Sequence, residues 1–370
     1  MRRIAMFVAA STMTLSLAGC GMLNATGSST TATPTKGNDI TVGVLMPDKI
    51  NTRYTNFDYP IMKAKIAELT NKQGQVDYQN AASTASTQAK QMQKMIDDKV
   101  DVIILDSVDS HAIAGTVKKA KEAGIPVIAY DRLAEGPIAG YVSFDNELVG
   151  EVQARTLLEG LGSNVDTSDK VIMINGSPTD PNAKQFKTGA LSELTGKVTI
   201  PTGAMFDTKD WDPGIAQQEV TKAIGSIGKD NIAGVYSAND AMAGGIVKAL
   251  KAAGVTTMPP ITGQDADLDA IQRILIGEQY MTVYKPYPDE AEAAAEMAVY
   301  KVQGKDIQFD ALTQDTVDSP TNKNIPSQLV QVNAVTKSKI KDTVVADGIY
   351  KISQICTATY KTACAEAGLK

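Results

Sequence analysis

The chain has 370 residues, 43% apolar and 21% charged, which is enough for two domains with full hydrophobic cores. Its formal net charge of -6 gives no electrostatic support to a nucleic-acid partner. A single histidine, His111, leaves a histidine-based acid–base or zinc site without its usual side chains, and a surface loop is its expected place.

The N-terminus reads as an export signal. Arg2 and Arg3 precede the mostly apolar stretch Ile4 to Leu17, which is too short for a stable membrane span. The stretch ends in Leu17-Ala18-Gly19-Cys20, small residues before a cysteine whose thiol can take a lipid. Residues 1–19 are expected to be a signal peptide and Cys20 the lipidated residue, placing the protein outside the cytoplasm and on the cell membrane. Residues 20–38, rich in Ser, Thr, Gly, Asn and Ala, read as a flexible tether.

Strands and helices then alternate. Thr41 to Met46 is a short apolar run, as a buried parallel strand requires. A helix is expected over 58–70, a strand over 76–78, a helix over 84–98 and a strand over 102–105. A helix over 112–123, ended by Gly124, leads to a strand over 126–130. The rhythm restarts with strands over 141–144, 171–174, 233–236 and 281–284, and helices over 147–161, 183–194, 217–227, 241–253 and 288–302. Repeated βα units imply parallel sheets with helices on both faces, and two series imply two lobes. Cys356 and Cys364 lie near the C-terminus of an exported chain, so a disulfide clipping a tail over 351–370 is expected.

In open α/β sheets ligands bind beyond the carboxyl ends of the strands. The residues there are Asp48 and Arg53, Asp106, Asp131 with Arg132, Asp145 with Asn146, Asn175 with Asn182, Asn239 with Asp240, Gln264 with Asp265, and Lys285. Nearly every strand ends in a carboxylate, amide or cation. A sugar hydroxyl both donates and accepts, so planar groups that bond two neighbouring hydroxyls suit it, and charged partners bond more strongly. The apolar face of a sugar ring packs on an aromatic, which Trp211, the only tryptophan, and Tyr54 could supply from two sides. Other readings stand beside these: Asp131 and Arg132 as a surface ion pair, Trp211 as core, Lys285 as solvated, and Asn239 or Asp240 as a helix cap. The chain contains no G-x-x-x-x-G-K-[ST], H-E-x-x-H or G-x-S-x-G motif, and no cofactor is expected. Plentiful carboxylates leave a glycosidase pair open by count alone.

Ala129-Tyr-Asp-Arg132, Ser143-Phe-Asp-Asn-Glu147, Ser237-Ala-Asn-Asp-Ala241, Gly263-Gln-Asp-Ala-Asp267 and Thr282-Val-Tyr-Lys-Pro286 together resemble the periplasmic D-xylose-binding proteins, type I sugar-binding proteins of ABC importers. The resemblance spans about residues 40–350. It implies an α/β fold of two Rossmann-like lobes with parallel sheets, joined by a three-segment hinge and closing on one monosaccharide. By motif it implies ligand contacts at Arg53, Asp131, Arg132, Asn182, Trp211, Asn239, Asp265 and Lys285, with Tyr54 at an aromatic position. The chain departs at Pro47, where the family often has another acid, so the edge of the pocket and the sugar stay open. The expected lobes are 39–143 plus 265–305 and 144–264 plus 306–350. The implied partners are a monosaccharide and an ABC permease, and a monomer is expected. Xylose stands first, with glucose, galactose, arabinose and fructose open. A sugar sensor and a glycoside-processing enzyme are the alternatives, while a sugar-responsive repressor would need a helix-turn-helix where the signal and tether stand.

Overall fold

A computed structural model describes residues 35–370. The expected signal peptide, Cys20 and most of the tether lie outside the described residues.

The first series folds as β1 (Thr41–Met46), α1 (Tyr59–Leu69), β2 (Gln75–Asn80), α2 (Ala85–Asp97), β3 (Val102–Leu105), α3 (Ala114–Glu122), β4 (Val127–Tyr130) and β5 (Gly140–Phe144). Every residue of β3, β4 and β5 is buried, which is why these strands are continuous apolar runs rather than alternating ones. The second series is α4 (Asn146–Leu161), β6 (Lys170–Asn175), α5 (Pro181–Leu194), β7 (Met205–Asp207), α6 (Pro213–Ile227), β8 (Ile232–Ser237), α7 (Asp240–Ala252), α8 (Leu268–Leu275) and β9 (Met281–Tyr284). The chain continues through α9 (Tyr287–Gln303), α10 (Asp306–Leu312), β10 (Asp315–Val317), β11 (Ile325–Val330), β12 (Asn333–Thr336), α11 (Ile352–Ile355) and α12 (Lys361–Glu366).

The first lobe is built on a seven-stranded sheet of order β10-β11-β5-β4-β3-β1-β2, parallel except at the β10–β11 edge. The second carries the parallel order β7-β6-β8. Residues 261–265 extend that lobe: Ile261 bridges Val235, Val283 N donates to Gly263 O, and Asp265 N donates to Val283 O. Beyond them β9 pairs antiparallel with β12.

The chain therefore crosses between lobes three times, after β5, between β9 and α9, and between β11 and β12. The second and third differ from the expected lobe boundaries at 265 and 306. Residues 265–284 belong to the second lobe, because they continue its sheet. Residues 306–330 belong to the first, because β11 pairs parallel with β5. No strand was expected over 306–350, and a hydrophobic pattern does not say which sheet edge a strand joins.

Helices α4 and α5 pack through glycines. A Cβ on Gly150 would lie 2.0 Å from the Phe186 carbonyl oxygen, and one on Gly189 would lie 1.9 Å from that of Glu147. Alanine gains about 1 kcal/mol of helix propensity over glycine. A clash with backbone costs more, because neither helix can move without disturbing the core behind it. Gly150→Ala is expected to lower the unfolding free energy by about 2 kcal/mol in urea titrations; an unchanged midpoint would show that the helices can separate freely.

The tail packs on α8 and on residues 340–350, burying Ile355, Cys364 and Leu369 with Ile271, Leu275 and Val344. A disulfide joins Cys356 to Cys364. His111 is exposed and lies 3.0 Å from Glu135.

Candidate functional site

The strand tips of both lobes converge on one cavity, and local backbone chemistry aims each side chain. After β1, Asp48 accepts from the backbone N–H groups of Ile50 and Asn51, both at 2.9 Å, a turn that presents Asn51, Arg53 and Tyr54 inward. After β4, Asp131 sits in the left-handed region at φ 56°, which a short acidic side chain tolerates. Its carbonyl oxygen accepts from the Tyr141 hydroxyl (2.8 Å), Ser143 Oγ (2.7 Å) and Asn182 Nδ2 (3.0 Å), and these bonds hold the turn. Trp211 (φ 58°) and Asp265 (φ 95°) are also left-handed. Three residues facing one cavity thus carry unusual backbone conformations.

Helix N-termini supply the rest. Asp180 caps α5 by accepting from Asn182 N at 2.9 Å. Asn239 caps α7 with its oxygen, while its Nδ2 crosses to Asn51 Oδ1 at 3.0 Å. One side chain both ends the helix and faces the cleft. Asp240 turns away and accepts from Gln279, Thr282 and Asp267 N.

Arg53, Tyr54, Asp131, Arg132, Asn182, Trp211, Asn239, Asp265 and Lys285 all line the cavity, together with Asn51, Asp180, Phe186 and Gln264. The structure thus brings all nine sequence-predicted residues together. Six other strand-tip residues do not line the cavity: Asp48 and Asp106 lie beside Arg132, Asp240 turns away, and three more serve local structure. Asp145 caps α4, Asn146 lies against Ser143, and Asn175 donates to Phe206 O and Asp207. Trp211 meets Phe186 edge to face with centroids 6.2 Å apart and donates from Nε1 to Asp180 at 3.2 Å. Phe186 was invisible as a site residue because it sits mid-helix like any core aromatic. Asp180 carries a readable signal, an acid directly before the Pro181 that starts a helix.

Two buried guanidinium groups organise the charges. Arg132 lies 2.8 Å from Asp180, 3.3 Å from Asp48 and 3.6 Å from Asp106, and donates to Ser107 O at 3.0 Å. Arg53 pairs with Asp58 (2.6 Å), Glu290 (2.5 Å) and Asp131 (2.9 Å). Lys285, at the second lobe crossing, lies 3.1 Å from Asp265 and 3.6 Å from Asp131. Burial pushes Asp131 up, but Lys285, Arg53 and Arg132 more than offset it and hold the carboxyl below its usual range. Asp106 and Asp180 are held above it, because burial outweighs the attraction of Arg132. Burial likewise raises Glu290 to about 8, against the opposing pull of Arg53.

Polar bonds shut the cleft. Asn182 Nδ2 reaches Asp131 Oδ1 at 2.8 Å, Thr52 Oγ1 reaches Asp267 at 3.1 Å, and the Arg132–Asp180 and Asn51–Asn239 pairs span the same gap. Three oxygens of cavity-lining residues are nonetheless buried without a hydrogen-bond partner among the described residues: Asn182 Oδ1, Gln264 Oε1 and Asp265 Oδ1, the last near Lys285 but not aligned with it. Buried acceptors left unpaired are costly, so this set suits a guest that brings several donors.

A profile of the periplasmic binding protein domain matches residues 42–306. A D-xylose-binding periplasmic protein from Escherichia coli (strain K12) is 37% identical over 283 residues, covering 75% of this chain and 82% of its own. A multiple sugar-binding periplasmic receptor from Rhizobium radiobacter is 30% identical over 336 residues, covering 85% and 92%. The crystal structure of an ABC transporter solute binding protein from Clostridium phytofermentans with bound β-D-glucose has a TM-score of 0.78 at 28% identity, covering 85% of this chain and 99% of that one. With two α/β lobes, three crossings and one cavity between them, the chain belongs to the periplasmic binding protein family, among the type I sugar-binding proteins that include the D-xylose-binding proteins.

Proposed function

We propose that the protein is a lipid-anchored, extracytoplasmic solute-binding protein that captures one monosaccharide between its lobes and delivers it to an ABC importer. The observation that carries this reading is the cavity itself. Planar polar groups from both lobes surround it, three unpaired buried oxygens await hydroxyl donors, and Trp211, Tyr54 and Phe186 offer apolar faces. Because both lobes contribute contacts, a bound sugar favours the closed form, and closure can signal loading to a permease. Xylose is the first candidate, on the likeness to D-xylose-binding proteins; glucose is the second, on the bound glucose of the Clostridium phytofermentans protein. Delivery to a sensor is the second reading, favoured by the likeness to a periplasmic receptor.

Titration calorimetry with xylose, glucose, galactose, arabinose and fructose tests the reading. One-to-one binding without turnover is expected, and hydrolysis of a glycoside would instead indicate an enzyme. Anchoring is tested separately. Fatty-acid label is expected on the wild-type protein and absent from Cys20→Ser; equal labelling of both would remove Cys20 from its assigned role.

A further inference from the structure

We infer that Asp58 and Glu290, which do not line the cavity, are positioning residues that hold the Arg53 guanidinium in register for the sugar. The inference rests on the proposed sugar site and adds two residues to it.

The geometry divides the five N–H donors of Arg53 into a held end and a presented end. Nε donates to Asp58 Oδ2 at 3.1 Å, and Nη2 donates to Asp58 Oδ1 at 2.6 Å and Glu290 Oε2 at 2.5 Å. The Tyr130 hydroxyl donates to Asp58 Oδ1 and lies 3.1 Å from Nη2. The Tyr287 ring supports the guanidinium from below, with its centroid 4.5 Å from Cζ. Nη1 alone reaches side chains that line the cavity. It bonds Asp131 at 2.9 Å and lies 3.9 Å from Asp265, leaving one N–H with no hydrogen bond to the described residues.

Asp58 and Glu290 are fully buried, where an acceptor without an aligned donor is costly. They come from distant parts of the chain, one ahead of α1 and the other in the first turn of α9, just past the second lobe crossing. A planar fork held along one edge can turn neither about its own axis nor toward the carboxylates around it. A lysine offers no such edge, because its ammonium is a point charge. The clamp therefore fixes the direction of the presented N–H without reaching the sugar.

The test is a double-mutant cycle on the full chain, read by titration calorimetry with the tightest-binding sugar of the panel. Glu290→Ala is expected to weaken binding about tenfold to a hundredfold, the range for misaligning a hydrogen bond to a charged group. Glu290→Gln keeps an oxygen to accept from Nη2 and is expected to recover most of that loss. In an Arg53→Lys background, Glu290→Ala is expected to cost less than threefold more, since there is no fork left to align. Thermal melts show that each variant is folded. Unchanged affinity in Glu290→Ala, or an equal loss in the Arg53→Lys background, overturns the inference. Wild-type protein that binds no sugar of the panel overturns the site reading instead, and the two failures are distinguishable.

Discussion

Arg132→Met is expected to lower the unfolding free energy by about 3–5 kcal/mol and to weaken monosaccharide binding at least about a hundredfold. The reason is what it strands. Asp48, Asp106 and Asp180 are all nearly inaccessible to solvent, and Arg132 is the cation beside each of them. Neither carboxylate oxygen of Asp106 has a hydrogen-bond partner among the described residues, so the Arg132 charge at 3.6 Å is its main compensation. Methionine fills similar volume, so packing is largely kept and the loss is electrostatic. Removing one member of a buried ion cluster costs more than the cluster contributes, because the remaining charges stay desolvated. Asp106→Asn in the same chain should therefore restore part of the stability. Urea unfolding of the single and double variants checks this; a single variant with the wild-type midpoint would mean that the Arg132 charge does not hold this cluster together.

The second large effect is on pH dependence. Glu290 is raised by burial to about 8, against about 4.3 for an unfolded glutamate. Between those values the folded protein holds one proton more than the unfolded chain, so stability falls as pH rises. The contribution is complete below about pH 4 and is lost as pH climbs through 8, at up to about 1.4 kcal/mol per pH unit. Asp131 acts in the opposite sense: its lowered carboxyl contributes stability above about pH 4 that is lost on further acidification. Stability should thus peak in mildly acid solution and decline toward pH 8. Asp106, Asp180 and Asp267 are raised by burial too and act in the same sense, so Glu290→Gln should flatten the decline in part while leaving the acid limb intact. Parallel slopes for wild type and variant between pH 5 and 8 would show that other groups set the dependence.

Much of this site was legible from strand endings. Strand endings place Asp131, Arg132, Asn239, Asp265 and Lys285 near the cleft without coordinates, but they name Asp145, Asn175 and Asp240 equally, and the family resemblance separates the two groups. The aromatic lining was half legible: Trp211 stood in a polar loop, whereas Phe186 was hidden in a helix. The charges behind the cavity were harder to see. Glu290 begins a helix that also carries Asp289, Glu292 and Glu296, and composition does not tell a buried acid from its solvated neighbours. Its spacing does carry a signal, since Glu290, Ala294 and Met297 fall on the same buried face of α9. Strand partnership was the least legible feature. The expected strands stop at residue 284, so β11 and its pairing with β5, which returns the chain to the first lobe, were not legible at all.

A crystal structure grown with xylose or glucose tests the central claim most directly. One pyranose should lie between the lobes against Trp211, with hydroxyls within hydrogen-bond distance of Asn182 Oδ1, Gln264 Oε1 and Asp265 Oδ1. Sugar bound elsewhere on the molecule, or a cleft in which those three oxygens meet only solvent, would contradict it.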